Sequence, residues 1–450
     1  AVERGWISYE QGAERFVQVC RFLNRAERYH GAWSHWSNGI TGSGLPFNAN
    51  QQSAGDLVET SFMMMGLFVC SEYFNRGGAN ETEAIQLVES FWNSIEWNFY
   101  TNNQNVLYWA WDKDLGFAPL KVTGPNEAFP AYILALAAPS QNAISQSVFD
   151  EGWRGGRNYY NPGRTTYGCR YELGKEAEGG PLFTTPHPFL WLNPYRLSDN
   201  YADYWEVCTN HTLINRHYCL YEAPQSYGYN EYNWGLSACY GPESKGYKGR
   251  SPARDDGVIA TTASIGAVSV TPYYAMQAFN TMKNSPSLIG TYGVSDAYSF
   301  VDSWSDPRYL SISIMPIVSI IENYRTGLIW RLAMQNEKIS RGIALAGLRQ
   351  TVYDNGFCQM PVDIVDNTVD LVVNPDTGKY GLRYSLNTAN TATFNFFDCN
   401  GVLVYTVNEN NTMAGINQLE FDYNTLPKEA YVVNLSIDDT IIDTINIRLR

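Results

Sequence analysis

The run Phe62-Met63-Met64-Met65-Gly66-Leu67-Phe68-Val69 is apolar on every side and lies within a helical stretch, Asp56 to Phe74. A helix with no polar face cannot rest on a surface and has to be enclosed by other elements. The segment Tyr132 to Ala138 makes the same demand, whereas Glu81 to Trp97 is amphipathic. Alternation of enclosed and half-exposed helices describes two concentric shells, the pattern of an (α/α) barrel. Further helices are expected over Tyr9 to Arg28, Glu81 to Asn98, Glu127 to Ala138, Asn200 to Asn215, Val258 to Ala267, Pro272 to Met282, Leu310 to Asn323 and Gly327 to Leu345.

From about Thr351 the texture changes. Short, often alternating segments follow one another: Thr368 to Val373, Tyr380 to Leu386, Ala392 to Phe397, Val402 to Val407, Gln418 to Tyr423, Tyr431 to Ile437 and Thr440 to Leu449. Turn signals separate them, notably Asn374 to Gly378, Asn400-Gly401 and Asn424 to Pro427. Seven such strands read as a small C-terminal antiparallel β-sandwich. A chain of 450 residues accommodates two domains, so residues 1–349 are expected as a mainly α domain and 350–450 as an accessory β domain.

Charge narrows the function. Lys plus Arg number 31 against 45 Asp plus Glu, a net charge of -14. Such a chain lacks the basic footprint that a nucleic acid or an anionic membrane requires. No apolar run reaches the roughly 18 residues of a membrane span. The stretch Ala1 to Glu10 has no basic-then-apolar signal pattern, although a trimmed mature chain would look the same. A periplasmic or secreted location, with surface lipoprotein as a variant, is the expectation. A monomer is expected too.

Eight scattered cysteines form no C-x-x-C pair and read as buried free thiols. With only five histidines and no H-E-x-x-H, neither a metal nor a cofactor is expected.

The aromatic content points to a ligand. Tyr and Trp together outnumber Phe by 45 to 20. These side chains pair an apolar face with a polar edge, which suits a neutral, wet, ring-shaped molecule such as a sugar. The long loops Gly152 to Asn193 and Tyr221 to Asp256 carry Trp191, Trp234 and many Tyr, as the walls of a cleft would.

Acids stand at the entrances of the apolar helices. In Ser53-Ala-Gly-Asp56-Leu-Val-Glu59, Ser53 and Asp56 resemble a capping box, and Glu59 shares the helix face of Asp56. Glu127 precedes Pro130 and the Tyr132 run; Glu231 lies in the Gly-bounded loop Gly228 to Gly235 beside Trp234; Asp255-Asp256-Gly257 precedes Val258. Each acid has a plain structural reading as a cap or a dipole partner. Together they describe an acidic, aromatic pocket. Paired carboxylates beside aromatic platforms are what glycosidic bond cleavage needs: one protonates the leaving oxygen, the other activates water or attacks the anomeric carbon. No G-x-S-x-G, P-loop or G-x-G-x-x-G competes with this reading.

The ordered motifs Gly55-Asp-Leu-Val-Glu-Thr60, Asn126-Glu-Ala128, Gly180-Pro-Leu-Phe183, Gly228 to Gly235 with Leu236-Ser-Ala-Cys239, Asp256-Gly257 and Ile321 to Gly327 resemble the bacterial glucoamylase-like family, which includes the β-1,2-glucanases of glycoside hydrolase family 144. The resemblance runs from about Gly5 to Leu345. It implies an (α/α)6 toroid, inverting hydrolysis and a β-1,2-linked glucan as substrate. It also implies that Asp56, Glu59 and Glu127 are the catalytic acids, with Glu127 as general acid. Substrate contacts are expected from Gln52, Trp36, His187, Glu231, Trp234, Asp256 and Arg325.

Two segments depart from the family pattern. Gln52 stands where relatives carry an acid, and Thr184-Thr-Pro-His187-Pro-Phe189 replaces a Gln-Tyr-Ser-His-like run. Gln52 cannot serve as acid or base. Either another acid serves, or linkage specificity differs, or activity is lost; an α-glucan hydrolase and a non-catalytic carbohydrate-binding protein are the alternatives.

Overall fold

In the computed structural model the described residues are 1–47, 54–155, 159–195 and 197–350, then 368–373, 380–386, 390–398, 401–412, 415–421, 426, 430–437 and 440–448. Ten α-helices are described: α1 (Tyr9–Arg25), α2 (Leu57–Tyr73), α3 (Ala79–Ser94), α4 (Phe129–Ala137), α5 (Tyr204–His217), α6 (Thr261–Ile265), α7 (Pro272–Lys283), α8 (Ser311–Thr326), α9 (Leu328–Gln335) and α10 (Glu337–Leu345). Short antiparallel strands join them. The chain divides into two compact units. The first holds Ala1–Tyr160, Trp191–Asn193 and Ile329–Gln350; the second holds Asn161–Leu190, Pro194–Leu328 and Thr351–Arg450.

In the first unit, α1 starts on a reciprocal cap between Ser8 and Gln11. It buries Ala13, Phe16, Val17, Cys20 and Leu23, the face that meets α3. The two all-round apolar helices behave differently. Every residue of α4 is buried. Helix α2 keeps one outward stripe, where Met63 is 39% exposed and Phe62 lies 5.2 Å from the Trp191 ring. Helix α2 packs on α3 and α4, and α4 packs on α10.

The expected single helix Gly327 to Leu345 is broken at Asn336. Its extended backbone interrupts the helix, and its side chain caps α10 by accepting from the N–H groups of Lys338 and Ile339. The cap is fixed from behind by an Asn336 to Glu72 hydrogen bond of 2.8 Å.

In the second unit, α5 is buried on nearly all sides despite its polar content. The Asn215 amide exchanges two hydrogen bonds with the backbone of Leu236, and Asn210 donates to the Arg170 carbonyl. Such pairing is what makes a buried amide tolerable. The expected helix Val258 to Ala267 shortens to α6, because Ile259 and Ala260 form a strand against Tyr298 and Ala297.

The C-terminal strands are β1 (Thr368–Val373), β2 (Tyr380–Leu386), β3 (Asn390–Phe397), β4 (Leu403–Thr412), β5 (Gly415–Glu420), β6 (Ala430–Ile437) and β7 (Thr440–Arg448). They pair antiparallel in two sheets, ordered β1-β2-β5 and β4-β3-β6-β7. Alternate residues Leu382, Tyr384 and Leu386 of β2 share one apolar cluster with Ala392, Phe394 and Phe396 of β3 and Tyr431, Val433 and Leu435 of β6. Cys20, Cys208, Cys219 and Cys239 are buried free thiols, as the sequence suggests, and Cys70 is a half-buried one; Cys358 and Cys399 lie outside the described residues.

Close approach of α10 to α4 depends on Gly342. A Cβ there would stand 2.2 Å from the Ile133 carbonyl oxygen, which belongs to backbone and cannot swing aside. Gly342→Ala gains helix propensity of about 1 kcal/mol. The clash outweighs it, and a net loss of about 1–2 kcal/mol is expected. Urea unfolding measures this, and a stabilised variant would mean that the two helices separate freely.

Candidate active site

The first unit gathers three of the expected acids. Gly55 and Asp56 form a two-residue strand against Trp111 and Ala110, and Ser34 bridges Gly55 from the other side. Gly55 is required here, since a Cβ would sit 2.4 Å from the Tyr100 hydroxyl oxygen. Asp56 then turns the chain into α2. It is itself the cap of α2: its Oδ1 accepts from the N–H groups of Val58 at 2.9 Å and Glu59 at 3.0 Å. Ser53 and Gln52 lie outside the described residues.

Asp56 has no exposed surface. Its second oxygen, Oδ2, accepts from His35 Nδ1 at 2.8 Å. A carboxylate only accepts, so Nδ1 carries the proton. The same nitrogen stands 3.9 Å from Glu59 Oε1. The His35 ring is stacked on Phe47 at 3.8 Å and meets the edge of Trp109 at 5.9 Å. Trp36, 52% exposed, adjoins this cluster at 5.3 Å from Phe47.

Glu127 stands just before α4, in the turn that leads from Lys121–Val122. Asn126 shapes the turn by donating to the Thr123 carbonyl at 2.7 Å and accepting from Ala128 N–H at 3.0 Å. Trp153 packs beneath it: its ring stacks on Phe129 at 5.3 Å and leaves room for no side chain at Gly124. Because α2 packs on α4, the two helix entrances bring Glu59 and Glu127 within electrostatic reach of each other.

Burial and neighbouring charge change their acidity. Burial, then the Asp56 charge, then the Glu127 charge push the Glu59 carboxyl up to about 7, against the opposing pull of His35. Burial likewise holds Glu127 above the ordinary carboxylate range, although its own backbone N–H pulls it down. Burial pulls His35 down, but the Asp56 hydrogen bond and the Asp56 and Glu59 charges outweigh this and raise it. An acid raised to about 7, beside a second raised carboxyl and a protonatable base, is suited to general acid–base work. Among the described residues, no group of three or more His, Cys, Asp or Glu is arranged to hold a metal ion.

Residues 119–337 match the family described as "Putative glucoamylase". The chain is 39% identical to a "putative glucoamylase" of Bacteroides uniformis, whose crystal structure superposes with a TM-score of 0.74 over 78% of this chain and 85% of that one. The chain belongs to the glycoamylase family. It is 40% identical to an endo-β-1,2-glucanase from Chitinophaga pinensis solved with sophorotriose and glucose, at a TM-score of 0.73 over 77% of this chain and 84% of that one. It is also 32% identical, over 76% of its length, to an exo β-1,2-glucooligosaccharide sophorohydrolase (non-reducing end) of Parabacteroides distasonis. The chain spans about half the length of that curated relative.

The other expected contact residues of this glycoamylase chain belong to the second unit. His187 is buried in a tight turn, where its ring meets Phe183 at 5.3 Å and lines an apolar cavity of about 20 Å³ with Leu190 and Pro316. Trp234 is fully buried in the core with Leu213, Ile214 and Leu236, so its ring presents no face to a sugar. Asp256 is held by Arg250 at 2.6 Å and Lys248 at 2.7 Å. Burial pushes its carboxyl up, but these pairings outweigh it and keep the carboxyl below its usual range. Glu231 is exposed next to Tyr232, and Arg325 is exposed in the last turn of α8.

The sequence reading passes over His35, Phe47 and Trp109. Only the unusual Trp33-Ser34-His35-Trp36 cluster marks the first of them.

The Glu59 shift has a consequence for stability. Its folded value of about 7 lies above the ordinary 4.5, so the folded state binds this proton more tightly than the unfolded state. The associated stability is fully present below pH 4.5 and is lost as pH rises through 7. Glu59→Gln removes this loss, so urea unfolding at pH 5 and pH 8 should differ less in the variant. An effect on the order of 1 kcal/mol is expected after discounting for partial solvent screening. An unchanged pH difference would remove Glu59 from the crowded pair.

Proposed function

We propose that this chain is a glycoside hydrolase that cleaves β-1,2-linked glucan with inversion. Glu127 acts as general acid and Glu59 as general base. The observation that carries the reading is a pair of buried carboxyl groups, Glu59 and Glu127, both raised above their ordinary range at the entrances of two packed helices, α2 and α4. Membership of the glycoamylase family supports it, as do the endo-β-1,2-glucanase of Chitinophaga and the β-1,2-glucooligosaccharide sophorohydrolase of Parabacteroides.

The chemistry follows from the one proton that the pair tends to share. With Glu59 ionised, burial keeps the proton on Glu127. Glu127 then protonates the glycosidic oxygen as the bond breaks. Glu59 takes a proton from a water that attacks the anomeric carbon from the opposite face. Inverting geometry calls for about 6.5–9.5 Å between the carboxyl groups, which leaves space for that water. The His35 ring beside Glu59 favours the ionised form there, and burial favours the protonated form of Glu127. Asp56, with no exposed surface and three donors on its oxygens, positions these groups and does not react. Trp36 offers the open aromatic face for a glucosyl ring.

The helical part is proposed as an (α/α)6 toroid over residues 1–349, and the two C-terminal sheets as a β-sandwich accessory module over 350–450. A monomer that works in the periplasm or outside the cell completes the proposal.

Incubation with linkage-defined glucans tests the substrate. Short β-1,2-linked products should form from β-1,2-glucan, with the α-anomer released first in an NMR time course. Cleavage of an α-glucan alone, or binding without turnover, would overturn the reading. In the same assay Glu127→Gln keeps the shape and removes the proton donor, so turnover should fall by at least about a hundredfold while glucan binding remains. Near-normal turnover would exclude Glu127 as the acid.

A further inference from the structure

We propose that His35 is a positioning residue: its imidazolium orients Asp56 and sets the charge at Glu59, a role that rests on the hydrolase reading above. No motif of the sequence contains it, and its place follows from five contacts. Its Nδ1 donates to Asp56 Oδ2 at 2.8 Å and lies 3.9 Å from Glu59 Oε1. Phe47 covers one ring face at 3.8 Å, and the edges of Trp109 and Trp36 lie at 5.9 and 6.1 Å. The backbone of its segment is fixed as well. Ser34 bridges Gly55, and Trp33 N–H donates to Thr60 Oγ1 at 2.9 Å. The imidazole is thus anchored to the same first turn of α2 that carries Glu59.

Two effects follow. The Nδ1 donor occupies the Asp56 oxygen that the helix N–H groups leave open, so the carboxylate cannot rotate. The ring's positive charge opposes the repulsion of Glu59 by Asp56 and Glu127. The charged groups acting on His35 are Asp56 and Glu59; those acting on Glu59 are Asp56, His35 and Glu127. Without the imidazolium, Glu59 faces two negative neighbours and ionises at higher pH. A general base that ionises later moves the acidic limb of the rate profile toward alkali.

Two substitutions separate donor from charge. His35→Asn retains an N–H donor near the Nδ1 position and lacks the charge. His35→Phe retains the ring packing against Phe47 and lacks both. His35→Phe should lower kcat on β-1,2-glucan by up to about a hundredfold, the order of effect of a misplaced reacting group. KM should change little. His35→Asn should recover much of that kcat, and both variants should shift the acidic limb alkaline. A loss of kcat that merely follows a lower Tm, with the pH profile unmoved, would overturn the proposal.

An NMR titration of the His35 imidazole needs no turnover. Its midpoint should lie above the ordinary value of about 6.5 and fall in Asp56→Asn. A wild-type protein that cleaves no glucan would sink the hydrolase reading but leave this titration to decide the His35–Asp56–Glu59 coupling. A midpoint at or below the ordinary value, or one indifferent to Asp56→Asn, would remove the coupling whatever the activity.

Discussion

A carboxylate with no exposed surface sits at the start of α2, and the candidate site is arranged around keeping it there. An ionised carboxylate buried without partners costs several kcal/mol. Asp56 is answered by three donors: two N–H groups that every helix leaves orphaned at its start, and the His35 imidazole. Each donor belongs to a different constraint. The helix N–H groups fix the direction of α2, the strand pairing with Ala110 and Trp111 fixes the approach, and His35 ties in the segment of Trp36. Glu59 inherits its position from this arrangement, because its own N–H is one of the three donors.

The sequence shows the large features because they rest on strong periodicities. A run apolar all round, as in α2 and α4, admits few alternatives to an enclosed helix, and the alternating C-terminal segments admit few alternatives to strands. What it hides is made by contacts too short to have a period. The strand Gly55–Asp56 has two residues, and nothing local announces its pairing with Ala110 and Trp111. His35 is joined to Asp56 through such pairings, across 21 residues of chain. Asn336 reads as one more helical residue until its side chain turns to cap α10. Trp234 misleads for the opposite reason: an indole in a Gly-bounded loop has the composition of a sugar platform and the burial of a core residue.

The acids at helix entrances look alike in sequence and do different work in space. Asp56 caps. Glu127 is held in a turn that Asn126 organises, and Asp256 is neutralised by Arg250 and Lys248. The last outcome had a visible cause, since Lys248 and Arg250 precede Asp256 by only a few residues. Arg250 is itself completely buried and also donates to the Cys239 carbonyl at 2.7 Å. A buried guanidinium of this kind needs its carboxylate, because removal of one partner leaves the other charged and unpaired. Asp256 therefore serves the hairpin of Ala238–Cys239 and Lys248–Gly249, the element that carries Arg250 at its end.

Crowded acids work against folding, so their neighbours must tolerate the repulsion. Two carboxylates spaced as inversion requires, about 6.5–9.5 Å apart, repel by about 1.7–2.6 kcal/mol at an effective dielectric of about 20. Burying one large apolar side chain contributes about 1.5–3 kcal/mol. Helix α4 alone buries Phe129, Ile133, Leu134 and Leu136, and α2 adds Leu57, Met64, Met65 and Phe68. The packing outweighs the repulsion several times over. A rigid apolar seam between α2 and α4 can therefore keep Glu59 and Glu127 buried, which raises both, and keep Glu127 near enough to add to the Glu59 shift. The same acids on exposed loops would relax apart and titrate as ordinary carboxylates. The all-round apolar character of these two helices is thus a condition of the site's acidity as well as of the fold.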